Sequence, residues 1–315
     1  MRVVLSVCVA LLMTACPTKP GPAASVVDAP GVRSLDGREL APVSVDPEFL
    51  AQQEAKLSAA REALASDPDN LEAAIWVGRH LGYVGRYHQA IAHYSAMLKR
   101  FEDEPRLLRH RGHRRLTVRD IDGAIADFER AAQLIEGKAD RVEEDGLPND
   151  RNQPTSTLGT NVYYHLGLAY FVEGDFAKAR EAYESCLTLS KNPDMEAATR
   201  HWLYMTLRRL GDDAAADEVL AAVDPEWDII ENLSYFKLLL LARGELKVEV
   251  VLGPQGEAPS QAAALFGVAH HDLIAGRTDV ARARFESLTL TDSAPNWASF
   301  GVLAAEAELL RLAGD

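Results

Sequence analysis

The sequence predicts an all-α protein, a right-handed α-solenoid of stacked helix hairpins closed by a C-terminal capping helix. Two observations lead there. A pattern of small and large residues recurs at a 34-residue spacing, the mark of a stacked array. A final helical stretch, Trp297 to Ala313, follows the last copy, and such stacks need a terminal cap. The composition is compatible: of 315 residues 47% are hydrophobic and 7% aromatic, ordinary for a globular chain. The net charge of −14 argues against nucleic acid or an anionic lipid surface as the main partner.

At the N-terminus, Arg2 precedes an apolar stretch from Val3 to Met13. That is too short for the roughly 20 residues of a membrane span and reads as an export signal over residues 1–15. Leu12-Met13-Thr14-Ala15-Cys16 resembles the lipobox of bacterial lipoproteins, although Met13 stands where leucine is usual, three before the cysteine. The resemblance implies an acylated Cys16 and a chain held on the bilayer by its lipids, which add roughly 0.8 kcal/mol per buried methylene. Pro17, where an aspartate would signal retention, resembles the outer-membrane sorting pattern and implies a periplasm-facing protein. Residues 16–45, rich in Pro, Gly and Ala, read as a tether. Processing leaves Cys186 as a solitary thiol, expected to be buried and inert.

Asp46-Pro47 is a helix start and opens a solenoid over residues 46–315. Val77-Gly78 is followed by Gly85, Tyr87, Ala90 and Tyr94. Thirty-four residues on come Arg111-Gly112, Arg119, Ile121, Ala124 and Phe128. The series returns as Leu166-Gly167, Tyr170, Gly174, Phe176, Ala179 and Tyr183. These spacings resemble the tetratricopeptide repeat, which implies antiparallel helix pairs whose small residues permit close approach. Repeats fall near 71–104, 105–138, 160–193, 197–230 and 262–295. Between the last two, Trp227 to Gly244 reads as a first helix, and residues 247–253 alternate in the manner of a strand. An insertion at 139–159, acidic at Glu143, Glu144 and Asp145, breaks the period; a functional loop and a tolerated surface insertion are both open.

Six arginines lie between 105 and 119 with no acid among them. The resemblance implies that the second, fifth and ninth positions of each first helix line a concave groove. In the second repeat these are Arg106, Arg109 and His113, and neighbouring repeats add Arg79, Tyr164 and His201. Such a groove would take a protein segment, with arginine forks suited to carboxylates. The alternative is internal: Arg111 and Arg115 stand where the repeat places apolar residues, and semi-buried arginines need carboxylates, which the insertion's Glu143, Glu144 and Asp145 could supply.

No catalytic residue, cofactor or metal is assigned. His110 and His113 have a spacing that can share a metal, but no His-Glu-x-x-His signature or second cysteine accompanies them. The expected function is therefore a membrane-anchored scaffold or adaptor of the bacterial envelope, binding a protein partner, and not an enzyme. Two rivals stand beside it. One is a binder of a soluble anionic ligand or glycan, using Trp76, Trp202, Trp227 or Trp297. The other is a hydrolase built on His110, His113 and His165, which requires those groups to converge.

Overall fold

The computed structural model describes residues 25–27, 31–253, 258–290 and 296–314. The expected signal peptide and Cys16 lie outside the described residues. Two short strands, β1 (Ser25–Val27) and β2 (Val43–Val45), pair antiparallel with Ser25 opposite Val45. All other regular structure among the described residues is helical.

Helix α1 (Pro47–Ser66) packs on α2 (Leu71–Tyr83). The hairpins α2/α3 (Tyr87–Met97), α4 (Pro105–Thr117)/α5 (Ile121–Ile135), α6 (Leu158–Glu173)/α7 (Phe176–Leu189) and α8 (Pro193–Leu210)/α9 (Asp213–Ala221) follow in order. First helices pack on the next first helix: α2 on α4, α4 on α6, α6 on α8. Helix α10 (Leu233–Ala242) bridges α8 and α12 (Ala258–Ile274). The array ends with α13 (Thr278–Leu290) and α14 (Phe300–Gly314), and α11 (Val248–Val251) is a single turn beside α10. An α-solenoid of helix hairpins is thus the architecture.

The 34-residue period has a direct packing cause. A Cβ placed on Gly78 would lie 2.1 Å from the Tyr94 ring, on Gly112 2.9 Å from Phe128, and on Gly167 2.6 Å from Tyr183. In each case the ring is 16 residues on, on the second helix, and fully buried. Only a glycine lets the two backbones close on that ring. The turn between the helices repeats as well. Gly85, Gly174 and Gly211 adopt left-handed φ of 77°, 100° and 75°. Where an aspartate follows this position, as at Asp120, Asp175 and Asp212, its carboxylate caps the next helix by accepting from the N–H three residues on.

Three expectations are corrected, and the open conformation of residues 247–253 is resolved. Residues 31–45, expected within the tether, are packed: Val32 is buried with Tyr87 and Trp297, against Leu40 and Val43. Ala41 O accepts from Trp297 Nε1 at 2.6 Å, and Glu306 accepts from Leu35 N at 3.1 Å. Apolar residues spaced through a Pro/Gly-rich stretch supply that packing. The first helix expected from Trp227 begins only at Leu233, because Asp194 accepts from the N–H groups of Ile230, Glu231 and Asn232 and holds the preceding loop open. The strand-like alternation at 247–253 contains the helical turn α11. The terminal helix starts at Phe300 rather than Trp297, whose ring is buried under the N-terminal segment.

Helix α14 caps α12 and α13 and also packs on α6. Phe300 meets the rings of His113 in α4 and His165 in α6 at 4.9 and 5.5 Å. Arg119 Nη2 reaches Glu306 Oε1 at 2.7 Å and Trp297 O at 2.8 Å. The inner face of the stack is therefore covered, in its central part, by the chain's own last helix.

Candidate functional site

Helices α2, α4 and α6 bring their inner faces together beneath the insertion. Its root is closed by a bridge between Val142 and Thr157. Thr157 then caps α6 through a capping box with Thr160, which fixes where the helical period resumes. From that root residues 139–157 form a strap across the mouth of the groove. Glu143, with its carboxylate largely buried, sits 3.1 Å from Arg109 Nε and accepts from Asn161 Nδ2 at 2.6 Å; His110 Nε2 lies 3.7 Å from it. Glu144 contributes its main-chain carbonyl, which accepts from Arg79 Nη1 at 2.7 Å. Gly146 lies so close to α2 that a Cβ there would be 2.1 Å from Tyr83 Oη. The far end of the strap is held from the loop before α10: Arg151 pairs with Asp228 at 2.5 Å, and Asn149 Nδ2 and Thr155 Oγ1 donate to Glu231 at 2.7 and 2.6 Å.

The groove residues expected from the sequence divide accordingly. Arg79 and Arg109 face the strap. Arg106 is buried and engaged by Glu72 and Glu104. His113 is stacked under Phe300, and Tyr164 shares a hydrogen bond with Tyr235 at 3.3 Å. His201 is buried beside Trp202 and Tyr235. Arg111 and Arg115 find their carboxylate in Asp127, at 2.6 and 2.9 Å, and not in the insertion. Position 127 faces position 111 for the same reason that Phe128 faces Gly112, so the 16-residue register between paired helices carries that contact. Arg114 packs on Gly82, donates to His113 Nδ1 and lies 5.6 Å from the Tyr87 ring centre. Asn161, which the sequence does not single out, and Tyr83, whose place among the repeat aromatics suggests core packing, belong to the site.

Charge follows this burial. Desolvation holds the imidazoles of His110 and His113 well below the usual histidine value, with the neighbouring arginines adding to the effect. His165 is brought to about 3, mainly by burial and then by Arg109. These rings are neutral at pH 7 and can accept or donate hydrogen bonds, but they do not add positive charge. His113 and His165 do converge, with ring centres 4.7 Å apart, yet Phe300 and Phe128 wall them in. Trp202 and Trp297 are core residues; Trp76 lies under the Arg79 guanidinium at 4.3 Å, and Trp227 packs on Phe236. Cys186 is buried, its thiol pushed up to about 12 by desolvation.

A second opening, of about 450 Å³, lies where the strap leaves α5 and enters α6, lined by Ile135, Leu158, Leu189 and Tyr163 with Arg106 and Asp140 at its polar side. Among the described residues no group of three or more His, Cys, Asp or Glu side chains is arranged to hold a metal ion, and no helix is long and apolar enough to cross a membrane.

Comparison with known proteins places these hairpins in context. The tetratricopeptide repeat model matches residues 160–193, the α6/α7 hairpin. A human protein, tetratricopeptide repeat protein 13, is 27% identical over 161 residues, covering 46% of this chain and 19% of that protein. This chain thus spans about a fifth of the curated relative it matches. A crystal structure of a tetratricopeptide repeat protein from Parabacteroides merdae aligns with 81% of this chain and 94% of its own, at a TM-score of 0.48 and 13% identity. The Cut9–Hcn1 hetero-tetramer structure covers 85% of this chain and 54% of its own, at 0.42 and 14%.

Proposed function

This chain is a tetratricopeptide-repeat protein, and from that premise we propose that it is an interaction scaffold whose partner enters the groove of α2, α4 and α6. Repeats of this kind mediate protein–protein contacts, and a concave face built from first helices is suited to a chain segment. One observation carries the reading. The inner faces of these helices already hold a length of irregular chain, gripping one carboxylate through Arg109 and Asn161 and one main-chain carbonyl through Arg79. Groups that hold a carboxylate and a carbonyl three helices wide can hold those of another protein. The N-terminal lipobox adds the setting of the proposal: acylation at Cys16, outer-membrane attachment and a periplasm-facing scaffold of the envelope.

Site-specific photo-crosslinking in cells tests it, with the photoreactive residue placed at Trp76 on the groove side or at Gln133 on the second helix of the second hairpin. A partner protein captured from position 76 and not from position 133 is the expected outcome. Equal capture from both, or capture from 133 alone, moves the binding face off the groove and removes the proposal.

A further inference from the structure

The strap has the features of a ligand as much as those of a loop. Its deep contacts are made by one carboxylate and one backbone carbonyl to groove positions of three successive first helices. Its apolar side chains contribute little: Val142 is 59% and Leu147 50% exposed. A loop retained for stability would bury such residues, since apolar burial is the main source of folding energy. Here the segment is held by polar contacts. Its outer latches are solvent-exposed, Arg151 and Asp228 having side chains 47% and 73% exposed, and water and salt screen exposed pairs of this kind so that they hold weakly. The root, by contrast, is firm, through the Val142–Thr157 bridge, the Leu158 N to Arg141 O hydrogen bond at 2.8 Å and the Thr157 cap. A segment with a firm root, weak outer latches and a polar inner contact can swing away without unfolding the helices beneath.

We propose that residues 143–156, the part of the strap beyond its root, are a displaceable in-chain occupant of the groove, with Glu143 holding the place that an acidic side chain of a partner peptide takes. This rests on the groove reading above. The strap is covalently attached, so it competes at a high effective concentration, and a free peptide of equal intrinsic affinity binds only in proportion to the fraction of molecules whose strap is open. The ion pair with Arg109 selects an acidic side chain, and the closeness of Tyr83 to Gly146 requires a small residue three positions after it. Unlatching therefore exposes a site with a defined preference.

The test uses the full chain and, as probe, a fluorescein-labelled synthetic peptide with the sequence of residues 139–148. Binding is read by fluorescence anisotropy to wild type and to Arg151→Glu/Glu231→Ala, which removes the latches to Asp228 and Glu231 and leaves only Asn192 Nδ2 donating to Thr155 O at the far end. Hydrogen exchange of the strap amides, without peptide, is measured on the same proteins. The expected result is faster strap exchange in the double variant with α6 unchanged, and at least about tenfold tighter peptide binding than to wild type. A probe carrying glutamine at the Glu143 position should bind about tenfold more weakly, equivalent to about 1.4 kcal/mol. Where exchange shows the strap still closed in the double variant, Glu143→Gln in the chain is the second variant, with the same expected gain. Equal binding to open and closed proteins, no binding to an opened one, or no preference for glutamate over glutamine each overturns the proposal. Such a failure with the groove-specific crosslink intact removes the strap's role alone. Loss of that crosslink with strap exchange and peptide binding as expected removes the partner reading and leaves the strap as an intramolecular brace.

Discussion

His201 shows what a single buried side chain contributes. Its ring is 3% exposed, neither nitrogen has a hydrogen-bond partner, and desolvation, with a smaller contribution from His270, brings it to about 3. The folded chain thus holds this ring neutral while the unfolded chain protonates it near 6.5, so stability is full above that value and is lost as the pH falls towards 3. His165, near 3, and His270, near 4, act in the same direction. Replacing His201 with phenylalanine should leave urea stability at pH 7 unchanged or higher and make its fall between pH 6.5 and 5 shallower, by up to about 1.4 kcal/mol per pH unit. Denaturation curves at those three pH values decide it; an unchanged slope would mean that the ring is hydrated in the folded state.

At the scale of the hairpin, the repeated glycine under an aromatic ring sets how close two helices come. Gly167→Ala forces a Cβ to within 2.6 Å of the fully buried Tyr183 ring. Overpacking of this kind costs about 1–3 kcal/mol, whereas an alanine in open helix would be stabilising. Thermal unfolding should show a lower Tm for Gly167→Ala, recovered in part by adding Tyr183→Leu, which makes room beneath the new methyl. The hairpins were legible in the sequence because this contact is local, glycine and ring lying 16 residues apart in the α2/α3, α4/α5 and α6/α7 hairpins. The insertion was legible as a phase error of the same pattern. The pairing of Arg111 with Asp127 follows from that register too, although a search for acids near the arginine run points first to the insertion. What no period encodes is an interaction that occurs once, such as Glu143 on Arg109 or Phe300 on His113.

Across the whole molecule the decisive contact joins Arg119 to Glu306, 187 residues apart and both nearly fully buried. Arg119 occupies the left-handed turn position that is glycine in the neighbouring hairpins, with φ of 68°, a conformation that costs a side-chain-bearing residue about 1–2 kcal/mol. Its guanidinium offsets that cost by tying the second hairpin to α14. Removal of one partner from a buried pair costs about 3–5 kcal/mol, because the other charge is left without compensation. Glu306→Ala should therefore lower the unfolding free energy by about that amount, and Glu306→Gln by less, since glutamine can still accept from Leu35 N and Arg119. Calorimetry on the two variants tests this, and equal, small losses would show that the charge is not what holds the helix. These distant contacts were not legible beforehand because their two halves carry no shared spacing.

Glu306 also accepts from Leu35, so one carboxylate ties residue 35 to residue 306. A chain emerging from the ribosome can form α2 to α9 hairpin by hairpin, each from neighbouring residues, but residue 35 has nothing to dock on until residue 306 has been made. The closing of that clasp is thus a late event in the protein's birth, set by the order of synthesis. Every nascent chain shorter than this must wait with Leu35 not yet bound to Glu306 and with His113 and His165 not yet covered by Phe300.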